Sequence, residues 1–269
     1  MAHDRLSSWD FFYAHVGRFR GLRALLSATG TMNWALPAVL STTAGAVDAI
    51  GFLALGGLFT AHITGNLVVL AAHYVTGGVN EPAPLLAVPV FIAVLGVVTV
   101  AAAGFEKTRY GARTALLFLQ AVLLGGCLVV GLVFGPVADT GGAIAVLVGM
   151  LGVAAMATQN ALVRFALPGS PSTAVMTTNI TQFTVDLAAI VRGASEPEDL
   201  ARARRRASVT FPCIVGFMAG CAAGAVLETH VGLWALALPA ALATLALTMD
   251  AHPPLALRND RAASRIRSL

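Results

Sequence analysis

Apolar residues run along this chain in stretches long enough to cross a bilayer, and charged residues fall in the gaps between them. About 20 apolar residues in a helix span the roughly 30 Å of hydrocarbon. Six stretches meet that length, at about 36–58, 84–105, 114–135, 142–163, 208–227 and 231–249. Two shorter ones, 61–75 and 173–191, are polar in their first halves, where Ile63-Thr64-Gly65-Asn66 and Thr177-Thr178-Asn179-Ile180-Thr181-Gln182 fall. Their purely apolar parts are too short to cross alone.

Lys and Arg decide how the short pieces run. If both crossed, the loop with Lys107, Arg109 and Arg113 would lie outside together with Arg164, against the bias of basic residues for the cytoplasmic side. If both dip in and return, the N-terminal segment, Lys107 to Arg113, Arg164, Arg192, Arg202 to Arg206 and Arg258 to Arg267 all share the cytoplasmic side. The expected fold is therefore all-α: a polytopic membrane bundle of six transmembrane helices and two re-entrant half-helices, with both termini cytoplasmic. Three spans and one re-entrant piece in each half place the second half upside down, a 3+3 inverted repeat.

Polar landmarks recur in order across the halves. Asp48 aligns with Asn160, Asn66 with Asn179, and Glu81-Pro82 with Glu196-Pro197, at offsets of 112, 113 and 115 residues. This divides the chain into a basic N-terminal segment, 1–33, one membrane domain, 34–250, and a basic tail, 251–269. The repeats cover about 36–135 and 142–249. The N-terminal segment has no apolar run followed by a small-residue cleavage site, so no removable signal is expected. Trp9, Phe12, Val16 and Phe19 beside Arg5, Arg18, Arg20 and Arg23 suit a helix lying on an anionic surface, or a disordered basic tail.

Composition agrees with a membrane protein: 57% of residues are hydrophobic, 11% charged, and mean hydropathy is +0.80. Soluble domains carry about 25% charged residues. The net charge of +4 resides in loops without interleaved aromatics, which argues for topology and anionic lipid rather than nucleic acid. Cys127, Cys213 and Cys221 are odd in number and lack CxxC spacing, so they read as packing residues. No metal-ligand spacing, nucleotide loop or nucleophile motif occurs, and neither a cofactor nor a metal is expected.

The chemistry concentrates between Val47 and Tyr74, where an acid, two His and Thr-Gly-Asn interrupt a membrane-length segment. Asp48, near the middle of the first span, costs roughly 2.5–3.5 kcal/mol there unless partnered. His62, His73 and Arg164 are its candidate partners. Helix breaks are expected at Gly56, Gly57 and Gly65 in the first half and at Pro168, Gly169 and Pro171 in the second. Half-helices starting near His62 and Thr173 would aim positive ends at the bilayer middle. Thr64, Asn66, Asn160, Thr177, Thr178, Asn179 and Thr181 would add neutral donors and acceptors along a path, or simply bond to neighbouring helices. Asp186 is a second buried-acid candidate, or a surface partner of Arg192. Gly216, Gly220 and Gly224 mark close helix packing or a contact between copies.

The run VDAIGFLALGGLFTAHITGN and the later TTNIT resemble the YoaK-like family of bacterial integral membrane proteins, as does QNALVRFALPG. His62 stands where the Asn of that family's Asn-x-Thr-Gly-Asn pattern is expected, leaving Thr64, Gly65 and Asn66 as the matching core. The resemblance covers roughly residues 38–250 and implies a membrane location but no activity. The leading expectation is a small secondary transporter or channel-like permease of the bacterial inner membrane, carrying a small polar or anionic solute between the inverted halves. The alternatives are an intramembrane lipid-handling enzyme with Asp48 and His62 as acid and base, and a non-transporting scaffold. The enzyme requires those two side chains within hydrogen-bond reach and an apolar opening to lipid.

Overall fold

The computed structural model describes residues 34–76, 82–103, 109–134, 140–193 and 196–251. The basic N-terminal segment and nearly all of the C-terminal tail lie outside the described residues. The rest is helical: α1 (Ala35–Ala54), α2 (Ile63–Thr76), α3 (Pro82–Ala103), α4 (Arg109–Phe134), α5 (Ala143–Ala166), α6 (Met176–Arg192), α7 (Pro197–Val231) and α8 (Ala237–Ala251). A 3₁₀ turn, Gly232–Leu236, joins α7 to α8.

Five helical stretches among the described residues are long and apolar enough to cross a membrane: 35–54, 82–102, 111–134, 143–166 and 197–250. The sixth expected span has not become separate by this measure, because 208–227 and 231–249 fall within one continuous helical stretch. A chain reversal is nonetheless available inside it, at Gly232, whose φ of +58° is a conformation that glycine adopts without strain. At 35 residues α7 extends about 52 Å, well beyond the hydrocarbon thickness. Its first third carries the charge, with Arg202 to Arg206.

Burial sorts the helices. Within the most apolar window, 67% of α1 and of α5 is buried, against 17% of α3. Both of these helices carry buried polar side chains, Asp48 on α1 and Gln159 on α5, because polar groups at membrane depth are tolerated only against protein or a cavity. α1 packs along α7, α5 along α3 and α4, α6 against α7, α2 against α3, and α8 against α1 and α4.

The α1–α7 contact is close because glycines line it. A methyl group on Gly220 would lie 2.1 Å from the Thr42 carbonyl oxygen, and one on Gly45 2.2 Å from that of Phe217. Gly216 and Gly224 face the Ala38 and Ala46 carbonyls in the same way. The small-residue spacing at 216–224 is thus used within the chain, backbone against backbone. Of the three cysteines, Cys127 and Cys213 are buried, and the Cys127 thiol donates to the Val148 carbonyl at 3.0 Å.

Candidate functional site: two helix breaks and their clasps

Two non-helical stretches interrupt the helices where buried polar side chains gather. The first break, residues 55–62, follows α1 through Gly56 and Gly57, whose φ values of +65° and +77° turn the chain back before α2 begins at Ile63. The second, 167–175, follows α5 through Pro168 and Gly169, the latter at φ +82°. Gly65 is not part of a break. It sits in the first turn of α2, where a Cβ would meet the Phe59 ring at 2.9 Å, so what it supplies is room for that ring.

Breaking a helix frees backbone groups that hydrocarbon cannot satisfy, and Asp48 answers those of the first break. Its Oδ1 accepts from the Thr60 N–H at 2.8 Å, the Thr60 hydroxyl at 3.0 Å and the Ala61 N–H at 2.6 Å. Oδ2 accepts from the His62 N–H at 3.2 Å and pairs with His62 Nδ1 at 2.8 Å. Five donors thus converge on one buried carboxylate at the start of α2, where the helix dipole also favours negative charge. Since the carboxylate accepts, Nδ1 is the imidazole nitrogen that carries the proton. Of the three expected partners, His62 holds the position. Arg164 is exposed on α5, and His73 lies in the last turn of α2.

Asn66 completes the first clasp. Its Oδ1 accepts from the Phe59 N–H at 2.8 Å and its Nδ2 donates to the Phe59 carbonyl at 2.7 Å, so one amide closes both free groups of one residue. Asn179 repeats half of this: its Nδ2 donates to the carbonyl of Ser172, again seven residues upstream, at 2.6 Å. The Ser172 hydroxyl accepts the Val175 N–H at 2.9 Å, closing a turn just before α6.

Asn160, aligned with Asp48, does not take over its role. Its amide donates to the Met156 carbonyl of its own helix. The neighbouring Gln159 does the bridging instead, donating to the Thr173 hydroxyl at 2.8 Å and the Leu40 carbonyl of α1 at 3.0 Å, while accepting from Gln120 of α4 at 2.6 Å. One residue shifts the side chain about 100° around a helix, which turns it from the half-buried flank into the core. Gln120, Gln159 and Thr60 were not expected at the site, and Thr173 was expected only as the start of a half-helix. The available signal was that each is a polar residue in or bordering an apolar run.

The expected threonines do not join the site: Thr64, Thr177, Thr178 and Thr181 lie on exposed faces of α2 and α6. Asp186 is buried, and its partner is Arg206 of α7, bound at 2.7 Å, rather than Arg192. A third buried acid, Asp250 of α8, pairs with Arg113 at 2.9 Å and accepts from Thr114 at 2.5 Å.

The two breaks approach one another in the core, since Ala61 and Ala174 belong to one buried cluster with Val47, Met156 and Leu124. Two recesses adjoin the first break. A cleft of about 430 Å³ on the α1–α7 flank is lined by Asp48, Phe52, Phe59, His62, Phe217 and Cys221 among others. A more polar recess of about 530 Å³, sharing Leu53 with it, carries Glu228, Thr140 and Trp234.

Long apolar helices, a buried polar centre and paired helix breaks define a multi-pass helical membrane protein. The chain belongs to the family described as "Protein of unknown function (DUF1275)", which matches residues 36–249. Comparison with curated proteins finds no match, and comparison with solved structures finds none either.

Proposed function

We propose that this protein is a small secondary transporter or channel-like permease of a bacterial inner membrane, built as a six-span inverted repeat with cytoplasmic termini, whose solute path runs between the two helix breaks. The observation that carries the reading is the pair of matched clasps: Asn66 on Phe59 and Asn179 on Ser172, each spanning seven residues, with the two breaks meeting in one buried cluster. Non-helical backbone at membrane depth occurs where protein or water surrounds it, and paired broken helices at a repeat interface are a recurrent way to build a solute site.

The packing plan supports the repeat. Exchanging α1 with α5, α2 with α6, α3 with α7 and α4 with α8 turns the α1–α7 contact into α5–α3, α2–α3 into α6–α7, and α4–α5 into α8–α1, all of which occur. The basic residues support the orientation. Asp48, Asn66, Gln159 and Thr173 are the groups assigned to the path. They are closed over by packing here, as in an occluded state.

The test is uptake into proteoliposomes across panels of small anions, amino acids and neutral metabolites, with Gln159→Leu as the variant. Uptake above that of protein-free liposomes, lost in a variant that still unfolds in one cooperative thermal transition, supports the reading. Uptake equal to protein-free liposomes across the panels removes it. Topology is read separately by labelling single cysteines from outside intact cells. Labelling at position 77 but not at 107 is expected, and labelling at 107 overturns the orientation.

A further inference from the structure

The cleft between α1 and α7 is lined almost wholly by apolar side chains, apart from the buried Asp48 and the part-exposed His62 paired with it. Three phenyl rings surround that pair. Phe59 and Phe217 meet the imidazole edge-on at centroid separations of 6.3 and 5.5 Å, and Phe52 packs on Phe59 at 5.0 Å. The rim is open, with Phe52 45% exposed and the His62 side chain 38% exposed. Nδ1 is turned inward to Asp48, so the exposed edge of the ring carries Nε2, which makes no hydrogen bond among the described residues.

We propose that this cleft binds a membrane-dissolved phenol or hydroquinone, its ring between the phenyl side chains and its hydroxyl donating to Nε2 of His62. Each element of that ligand follows from the lining. With Nδ1–H committed to Asp48, Nε2 is an acceptor in the neutral form of the imidazole, and a ligand bound to that form must bring the proton. The carboxylate behind the imidazole disfavours an anionic head such as a fatty acid. Flat aromatic surface complements three rings and an imidazole edge better than a flexible acyl chain, and a cleft open on the flank of a membrane helix pair is reached through lipid. Binding in this cleft is read without an uptake assay, so it is tested separately from transport.

The experiment uses the full chain in lipid nanodiscs and a photoreactive alkylphenol, with cross-linked peptides mapped by mass spectrometry. Labelling is expected in 48–62 and 217–225. 4-Nonylphenol should compete at five-fold or more lower concentration than its methyl ether, which has the same shape and no proton to donate. His62→Asn, which keeps a donor for Asp48 but removes Nε2, should bring the two competitors level. Ala49→Phe, which fills the cleft and leaves the Asp48–His62 bond in place, should abolish labelling without lowering the thermal midpoint. Labelling elsewhere, equal competition by phenol and ether in the wild type, or tighter competition by decanoate each overturns the proposal. Should His62→Asn fail to fold, the ether comparison and Ala49→Phe still decide it.

Discussion

The two helix breaks solve one physical problem with different chemistry. Both leave backbone groups unpaired at depth, and both are tied by an asparagine seven residues downstream of the residue it holds. In the first break the remaining donors converge on a carboxylate, Asp48, and no neutral side chain could accept five of them. In the second, neutral groups suffice: Ser172 takes the Val175 N–H and Gln159 ties Thr173 to α1. The comparison teaches that a matched backbone plan does not require matched side chains, provided each freed group finds a partner. A ring-lined cleft carrying Asp48 and His62 lies beside the first break.

The largest test of this difference is Asp48→Ala. It strands three backbone N–H groups and the His62 imidazole, and should cost about 3–5 kcal/mol of unfolding free energy in a mixed-micelle titration. A loss no greater than that of Asn160→Ala would remove the carboxylate from its structural role. Next come the paired asparagines. Asn66→Ala loses a donor and an acceptor and should cost about 2 kcal/mol, while Asn179→Ala, with one carbonyl bond, should cost about 1 kcal/mol. Equal losses in the same titration would mean that the two clasps are equivalent after all.

Gln159→Leu cuts the link between α5, the second break and α1, at about 1.5 kcal/mol. Hydrogen exchange should then quicken at residues 170–175 and remain unchanged at 55–62. Faster exchange in both would show that the breaks open together. The smallest effect is expected from Gly169→Ala, where φ is +82° and nothing lies within 4 Å of an added methyl. Backbone strain alone should lower stability by about 1 kcal/mol, read as a shift in thermal midpoint. A neutral result would mean that the turn relaxes.

Hydrophobic length and rare polar residues made a good part of this legible in advance. Apolar runs of bilayer length mark helices because no other open structure satisfies its own backbone in lipid. Glycine and proline inside such runs mark the breaks, and Asp48, Asn66 and Asn179 stand out because placing them there is costly. Facing was not legible. Thr64, Thr177, Thr178 and Thr181 look as suggestive in sequence as Asn66, yet helical phase turns them outward, whereas Gln159 rather than Asn160 turns inward.

What the chain by itself determined, then, is which segments are helical, where they are interrupted, and which side chains demand a partner, since these depend on local composition and on the cost of burying charge and amide groups. Which partner each one finds was decided only in three dimensions. Asp186 meets Arg206, twenty residues away, because α6 and α7 pack against each other. Asp250 meets Arg113 across 137 positions. Asp48 is satisfied largely by backbone N–H groups, which every residue but proline carries and which no sequence pattern singles out until the chain has turned back at Gly56 and Gly57 to present them.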